Sequence, residues 1–203
     1  MGARAPWALA LCSVALLPVL GAFIPNIWYR LAVNAAALMA LAFTTLRLPW
    51  AALFKPSPRL VALGVASAGL LYGAGALVAR VLLAVPAGAA AAHAMFAWRD
   101  AVPPRLALPL LVWVVIGEEV VWRTGLTVAL AARRGPSTAV LVSALVFAAA
   151  HLSLGQPLLV AVAFAAGAYW SALVVRFRSG VPALVSHLLW DLAVLYGRPY
   201  AGL

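Results

Sequence analysis

The stretch LVWVVIGEEVVWRTGL, residues 111–126, decides how this chain is read. Both its ends are as apolar as a membrane span, yet its middle carries Glu118, Glu119 and Arg123. A carboxylate at membrane depth costs about 3 kcal/mol or more, so such groups face a protein interior and serve a function. The 203-residue chain holds only four acidic residues, and a third, Asp191, lies in another apolar stretch, VPALVSHLLWDLAVLYG at 181–197. His187 precedes Asp191 by one helical turn, and His151 ends the apolar run ALVFAAAH at 144–151. A chain that avoids acids almost everywhere has gathered them here, as a polar site inside a membrane protein would require.

Composition bounds the class. The chain is 67% hydrophobic and 9% charged, outside the range of soluble domains. With roughly 20 residues per span, its length accommodates about seven transmembrane helices and little else. The expectation is an all-α, polytopic helix bundle forming one membrane domain over residues 1–203, integral and multi-pass in the lipid bilayer. The net charge of +10 comes from bases scattered singly or in pairs between apolar runs. They form no dense basic face with interleaved aromatics, so nucleic acid is not an expected partner; membrane-flanking charge accounts for them. Of the 14 bases only Lys55 is not arginine, and alanine is abundant, which points to a GC-rich bacterial genome and hence to a bacterial inner membrane. Cys12 is the lone cysteine, so neither an intrachain disulfide nor a thiolate metal cluster is expected. Too few residues precede it for a signal peptide, and residues 7–24 read as a retained first span.

Further spans are expected at 31–46, about 60–83, about 106–130, 138–154, 157–175 and 181–197, with the stretch Val85–Ala92 lying along the interface. Proline, glycine and serine punctuate the breaks, as at Pro25, Pro56-Ser57-Pro58, Pro103-Pro104, Gly135-Pro136 and Gln156-Pro157. Trp28, Trp50 and Trp98 fall near span ends, where indole rings favour the headgroup region. Lipid cannot satisfy a loose backbone, so every span should be helical. Counting bases in alternate loops sets Arg4, Arg47, Lys55, Arg59, Arg133, Arg134, Arg176 and Arg178 against Arg30, Arg80, Arg99, Arg105 and Arg198. The larger set places the N-terminus in the cytoplasm.

Three polar groupings stand on three of these helices. Glu119 and Arg123 are spaced i,i+4 with the acid first, the better order for a helical ion pair, while Glu118 points about 100° away. Phe147 shares a face with His151, and His187 with Asp191. If the faces converge, two carboxylates outside the ion pair and two imidazoles meet. Such a set can activate water and stabilise an oxyanion, since a desolvated carboxylate is a better base near neutral pH and a histidine can donate to developing negative charge. Ser153 and Ser186 have no nucleophile-elbow motif around them, which favours direct attack by water. Taken singly, each grouping also has a structural reading: an ion pair, a core histidine, or packing by Phe147, Trp122 and Trp190. His93 and Asp100 read as solvated. The coincidence of all three groupings carries the site.

At these residues the chain resembles the CAAX-protease and bacteriocin-processing (CPBP/Abi) family of intramembrane endopeptidases. That family bears EExxxR, FxxxH and HxxxN or HxxxD on successive membrane helices; here they read EEVVWR at 118–123, FAAAH at 147–151 and HLLWD at 187–191, in order. The likeness covers roughly residues 105–197, a catalytic core following N-terminal helices without a recognised motif over 1–104. It implies Glu118 as the catalytic glutamate polarising water with His151. It implies His187 and Asp191 as oxyanion or metal ligands, and Glu119, Arg123 and Phe147 as supporting residues. Asp191 stands where the prenyl-protein proteases of the family have Asn. An ionised Asp is a poor oxyanion donor, so orienting His187 or ligating a metal suits it better. The family is often labelled metalloprotease; a divalent metal such as zinc would take His151, His187, Asp191 and Glu118. HExxH is absent, and no obligatory metal is expected. The implied activity is hydrolysis of a membrane-anchored peptide or protein, by CAAX-type processing or removal of a C-terminal sorting tail. The alternative is a non-proteolytic immunity or scaffold protein of the same fold. A proton-coupled carrier fits less well, because no internal repeat is visible.

Overall fold

Pro and capping residues start the helices where the sequence breaks fall. The computed structural model describes residues 4–197 and 199–200, so Arg198 of the charge count lies outside the described residues. Helix α1 spans Ala5–Gly21, α2 Ile27–Thr45, α3 Trp50–Leu53, α4 Pro58–Leu83 and α5 Pro86–Arg99. Helix α6, Pro104–Glu118, runs through a π-helical segment, Glu119–Leu126, into α7, Thr127–Arg134. Then follow α8, Pro136–Ala150, α9, Pro157–Phe177, and α10, Val181–Leu192, which ends in a second π turn at Ala193–Gly197. No strand occurs among the described residues. Asn26 caps α2 by accepting from the amides of Trp28 and Tyr29, and the Ser57 hydroxyl caps α4 on the amide of Leu60, each satisfying donors the helix leaves open. Helices α4, α5, α6, α8 and α9 carry proline in the first turn, where its missing N–H costs nothing.

By length and composition four helical stretches can cross a membrane: Ile27–Thr45, Pro58–Leu83, Pro136–Leu154 and Pro157–Phe177. Ala5–Gly21 and Val181–Gly197 are shorter apolar helices. The protein is an all-α integral membrane bundle. The run Pro104–Arg134, expected as one span over 106–130, is continuous but changes helix type at its charged middle. The stretch expected along the interface falls at the start of the regular helix α5, none of whose residues is buried. Trp28, in the first turn of α2, is 6% exposed and donates from its indole N–H to the carbonyl of Trp98 at 2.8 Å. Its ring packs in a core between α2 and α6, and the carbonyl satisfies the indole N–H.

Close helix approach positions the acidic residues. A Cβ on Gly117 would lie 2.6 Å from the Cβ of Ala35, so glycine lets α6 seat against α2 immediately before Glu118. On α9, Ala163, Ala166, Gly167, Trp170, Ser171 and Val174 form one buried stripe at helical spacing. That stripe packs against α8 and the π segment. The turn from α9 to α10 is tied down by the Gly180 amide and the Ser179 hydroxyl, both donating to the Leu53 carbonyl at 2.9 and 3.0 Å.

Candidate active site

The acidic pair sits where the α-helix ends. Glu118 is the last residue of α6 and Glu119 the first of the π segment. Such segments are rare and frequent at functional sites, because the widened turn re-aims side chains. The surplus acceptor capacity is used: the Trp122 carbonyl receives the hydroxyls of Thr127 at 2.9 Å and Ser143 at 2.7 Å. Gly125 permits the wide turn, since a Cβ there would stand 2.7 Å from the Val120 carbonyl oxygen. Nothing in EEVVWRTGL distinguishes it from an ordinary helix by period, so the sequence carries no sign of the change beyond that glycine.

Glu118 faces two imidazoles. Its Oε1 lies 4.0 Å from His151 Nε2, and its Oε2 lies 3.8 Å from His187 Nε2. The Glu118 side chain is 12% exposed and the histidine side chains 8% and 5%. At 4.0 Å, one water at ordinary distances of about 2.8 Å can touch both Glu118 and His151 with an angle of about 90° between the two bonds. Asp191 completes the ring, with Oδ2 3.6 Å from His187 Nε2. The structure thus brings Glu118, His151, His187 and Asp191 from α6, the end of α8 and α10 to one place.

The anchors of the two histidines differ from the expectation. His151 Nδ1 donates to the Phe147 carbonyl at 2.7 Å; a carbonyl only accepts, so Nδ1 carries the proton and Nε2 is left facing Glu118. His187 Nδ1 lies 2.8 Å from Glu119 Oε1. Asp191, expected to orient His187, is beyond hydrogen-bond reach of Nε2, and it is Glu119 that holds the ring. Glu119 therefore serves two partners, since Arg123 Nε lies 3.5 Å from the same oxygen. Arg123 and Glu119 are both fully buried. The guanidinium nitrogens make no hydrogen bond; the charge is balanced by Glu119 and by aromatic faces. The guanidinium carbon stands 3.6 Å from the centroid of the Phe147 ring and 5.2 Å from that of Trp170, a cation–π arrangement. Phe147, read from the sequence as packing, thus holds Arg123 on one side and the His151 ring, with centroids 4.5 Å apart, on another.

The four polar groups form one wall of a cavity of about 480 Å³. Its other walls are apolar, built from Leu71, Val78 and Leu82 of α4, Met95 and Phe96 of α5, and Leu158 and Val162 of α9. Small and apolar residues of α5 at positions 88, 92, 95 and 96 turn one helical face to it, and Arg99 follows on the same face. Arg99 is held by Asp100, with Nε 2.7 Å from Oδ1 and Nη2 2.9 Å from Oδ2. That hydrogen bond keeps the exposed Asp100 carboxyl below its ordinary range. Asp100, read as merely solvated, is therefore an exposed ion-pair partner at the cavity rim, while His93 is exposed on α5 as read.

Among the described residues, no group of three or more His, Cys, Asp or Glu side chains is arranged to hold a metal ion. Glu118 lies 4.0 and 3.8 Å from the two Nε2 atoms and Asp191 3.6 Å from that of His187, somewhat wider than the roughly 3.4 Å between neighbouring ligands of a tetrahedral zinc site. Sequence reasoning passed over Trp170, which stacks on His187 with ring centroids 3.7 Å apart and planes 21° apart. It lies on α9, a helix without a motif, and its place on that helix's small-residue stripe was the one signal available.

Residues 101–193 match the family model described as Type II CAAX prenyl endopeptidase Rce1-like. No curated protein matches the chain, and no solved structure does. The matched segment runs from the residues just before α6 into the second π turn and contains all seven motif residues discussed above. Over residues 101–193, a little under half of the chain, the protein is thus similar to the Rce1-like family of membrane endopeptidases.

Proposed function

We propose that the protein is an intramembrane endopeptidase in which Glu118 and His151 activate water to cleave a membrane-associated peptide or protein. The observation that carries this reading is the meeting of Glu118 with the two Nε2 atoms, 4.0 and 3.8 Å away, at the wall of an otherwise apolar cavity. Water between Glu118 and His151 gives one proton to the Glu118 carboxylate as its oxygen bonds to the scissile carbonyl carbon. The resulting oxyanion lies against His187, which donates from Nε2 when its ring is protonated, with Glu119 accepting at Nδ1. Glu118 then passes the proton to the departing amine nitrogen as the C–N bond breaks. The apolar walls suit a substrate with apolar or lipid-modified residues beside the scissile bond. Its class is a CAAX-type peptide or a C-terminal sorting tail in a bacterial membrane.

The test uses purified protein in proteoliposomes and an internally quenched peptide ending in a prenylated cysteine, two aliphatic residues and a terminal residue. In parallel, tail-bearing membrane proteins are co-expressed with wild type and with Glu118→Ala. Cleavage by wild type and its loss in Glu118→Gln and Glu118→Ala is the expected result. Equal cleavage by Glu118→Gln, or none by wild type on either class of substrate, overturns the reading and leaves the immunity or scaffold alternative.

A further inference from the structure

We infer that Trp170 is a positioning residue whose indole face sets the plane of the His187 imidazole. The torsion that turns an imidazole about its bond to Cβ is soft and broad. One hydrogen bond, from Nδ1 to Glu119 at 2.8 Å, holds an atom of the ring but leaves the plane free to tilt about that contact. A tilt moves Nε2 away from Glu118 and Asp191. The Trp170 indole, 1% exposed, removes this freedom by lying nearly parallel to the ring at 3.7 Å between centroids.

The indole is itself fixed at its edge. Trp170 Nε1 donates to the Ser186 hydroxyl at 3.2 Å, and Ser186 is the chain neighbour of His187 on α10. Ser186 also accepts from the Ser67 hydroxyl of α4 at 3.0 Å, and Ser67 lies 2.8 Å from the Tyr169 hydroxyl. Three helices, α4, α9 and α10, are thereby joined by buried hydroxyls around one tryptophan. Breaking such a network leaves buried polar groups unsatisfied, so the arrangement is strongly specified. None of Trp170, Ser186 and Ser67 belongs to the EExxxR, FxxxH or HxxxD patterns. Trp170 also borders the cavity, and its effect must be separated from simple contact with substrate.

The rate effect rests on the proposed endopeptidase reading; the geometric effect does not, and the experiment keeps the two apart. Trp170→Leu, Trp170→Phe and Ser186→Ala are compared with wild type in proteoliposomes on the quenched prenyl-cysteine peptide, with activity expressed per folded protein. Trp170→Leu should lower kcat about 10- to 100-fold, the loss typical when a functional histidine loses an orienting partner, with little change in KM. Trp170→Phe keeps an aromatic face and should recover most of kcat; Ser186→Ala should fall between. The chain has three histidines, so selective ring labelling makes His187 assignable by NMR in nanodiscs. Its ring protons should be shifted upfield by the indole in wild type and return toward ordinary positions in Trp170→Leu. A raised KM with unchanged kcat, lower abundance with unchanged activity per folded protein, or His187 signals unmoved in Trp170→Leu each overturn the inference. If wild type cleaves neither this peptide nor the co-expressed tail-bearing proteins, the endopeptidase reading fails and the His187 signals alone decide the positioning role.

Discussion

Two corners of the same site hold chemically identical rings in different ways. His151 is anchored by a backbone carbonyl of its own helix, the Phe147 oxygen at 2.7 Å. His187 is anchored by a side chain from another helix, Glu119 at 2.8 Å, and by the face of Trp170. A carbonyl fixes which nitrogen carries the proton and no more, so His151 presents an accepting Nε2 to Glu118 and to water. A carboxylate also complements a positively charged ring, which suits His187 to meet an oxyanion. In the proposed mechanism the partners of each ring, more than its identity, separate a water-holding role from an anion-facing one. A second difference is that no substitution of one side chain removes the anchor of His151, whereas that of His187 is exposed to mutation at Glu119, Arg123 and Trp170.

The largest effect should come from the group the two corners share. Glu118→Gln keeps the size and hydrogen bonding of the side chain but removes the base, and cleavage should fall about 10²–10⁴-fold. Protein recovered in the membrane should stay near the wild-type level; a cleavage assay with quantitative blotting checks both. Comparable activity in this variant would dissolve the comparison altogether.

Arg123→Ala attacks the His187 corner from beneath. Removing one partner of a buried ion pair costs about 3–5 kcal/mol, so folded protein should drop together with activity, read by abundance and thermal unfolding in detergent. Full abundance would mean that Glu119 does not depend on Arg123. Glu119→Gln keeps an amide oxygen that accepts from His187 Nδ1 but takes the counter-charge from buried Arg123, so folded protein should drop here too and activity is read per folded protein. Activity should fall about 10- to 100-fold, as for other partners that orient a functional histidine. If it matches the loss in Glu118→Gln, Glu119 takes part in the chemistry directly, and the division of roles between the corners needs redrawing.

Asp191→Asn should be the mildest, within about tenfold of wild type, since a carboxylate 3.6 Å from His187 Nε2 is no hydrogen-bond partner in the structure. Chelator treatment should leave the cleavage rate unchanged. A loss as severe as in Glu118→Gln, with chelator-sensitive activity restored by zinc, would instead make Asp191 a metal ligand and both histidines its companions.

Much of this was legible in the residues themselves. Four acids in 203 residues, with three of them inside apolar runs, require a buried polar site in a membrane bundle, because lipid admits neither loose backbone nor unpaired charge. Helical period alone puts Phe147 with His151 and His187 with Asp191 on shared faces, and the ordered motifs single out Glu118 as the candidate base. Local spacing also foresaw that Glu119 and Arg123 would lie together, as they do at 3.5 Å. What spacing cannot specify is a contact between helices. Glu119 and His187 are 68 residues apart, and their bond depends on how α10 packs against the π segment. The same holds for Trp170, which meets His187 only because α9 and α10 lie side by side, and for Trp28, drawn inward by an acceptor on Trp98. The π segment is decided there too: a wider turn strains an isolated helix, and it persists here because its neighbours supply Thr127, Ser143 and the close packing that satisfy it. Sequence determined which side chains had to leave the lipid; tertiary packing decided which of them would touch, since hydrogen bonds and ring stacking act over a few ångströms and only the assembled bundle sets those distances.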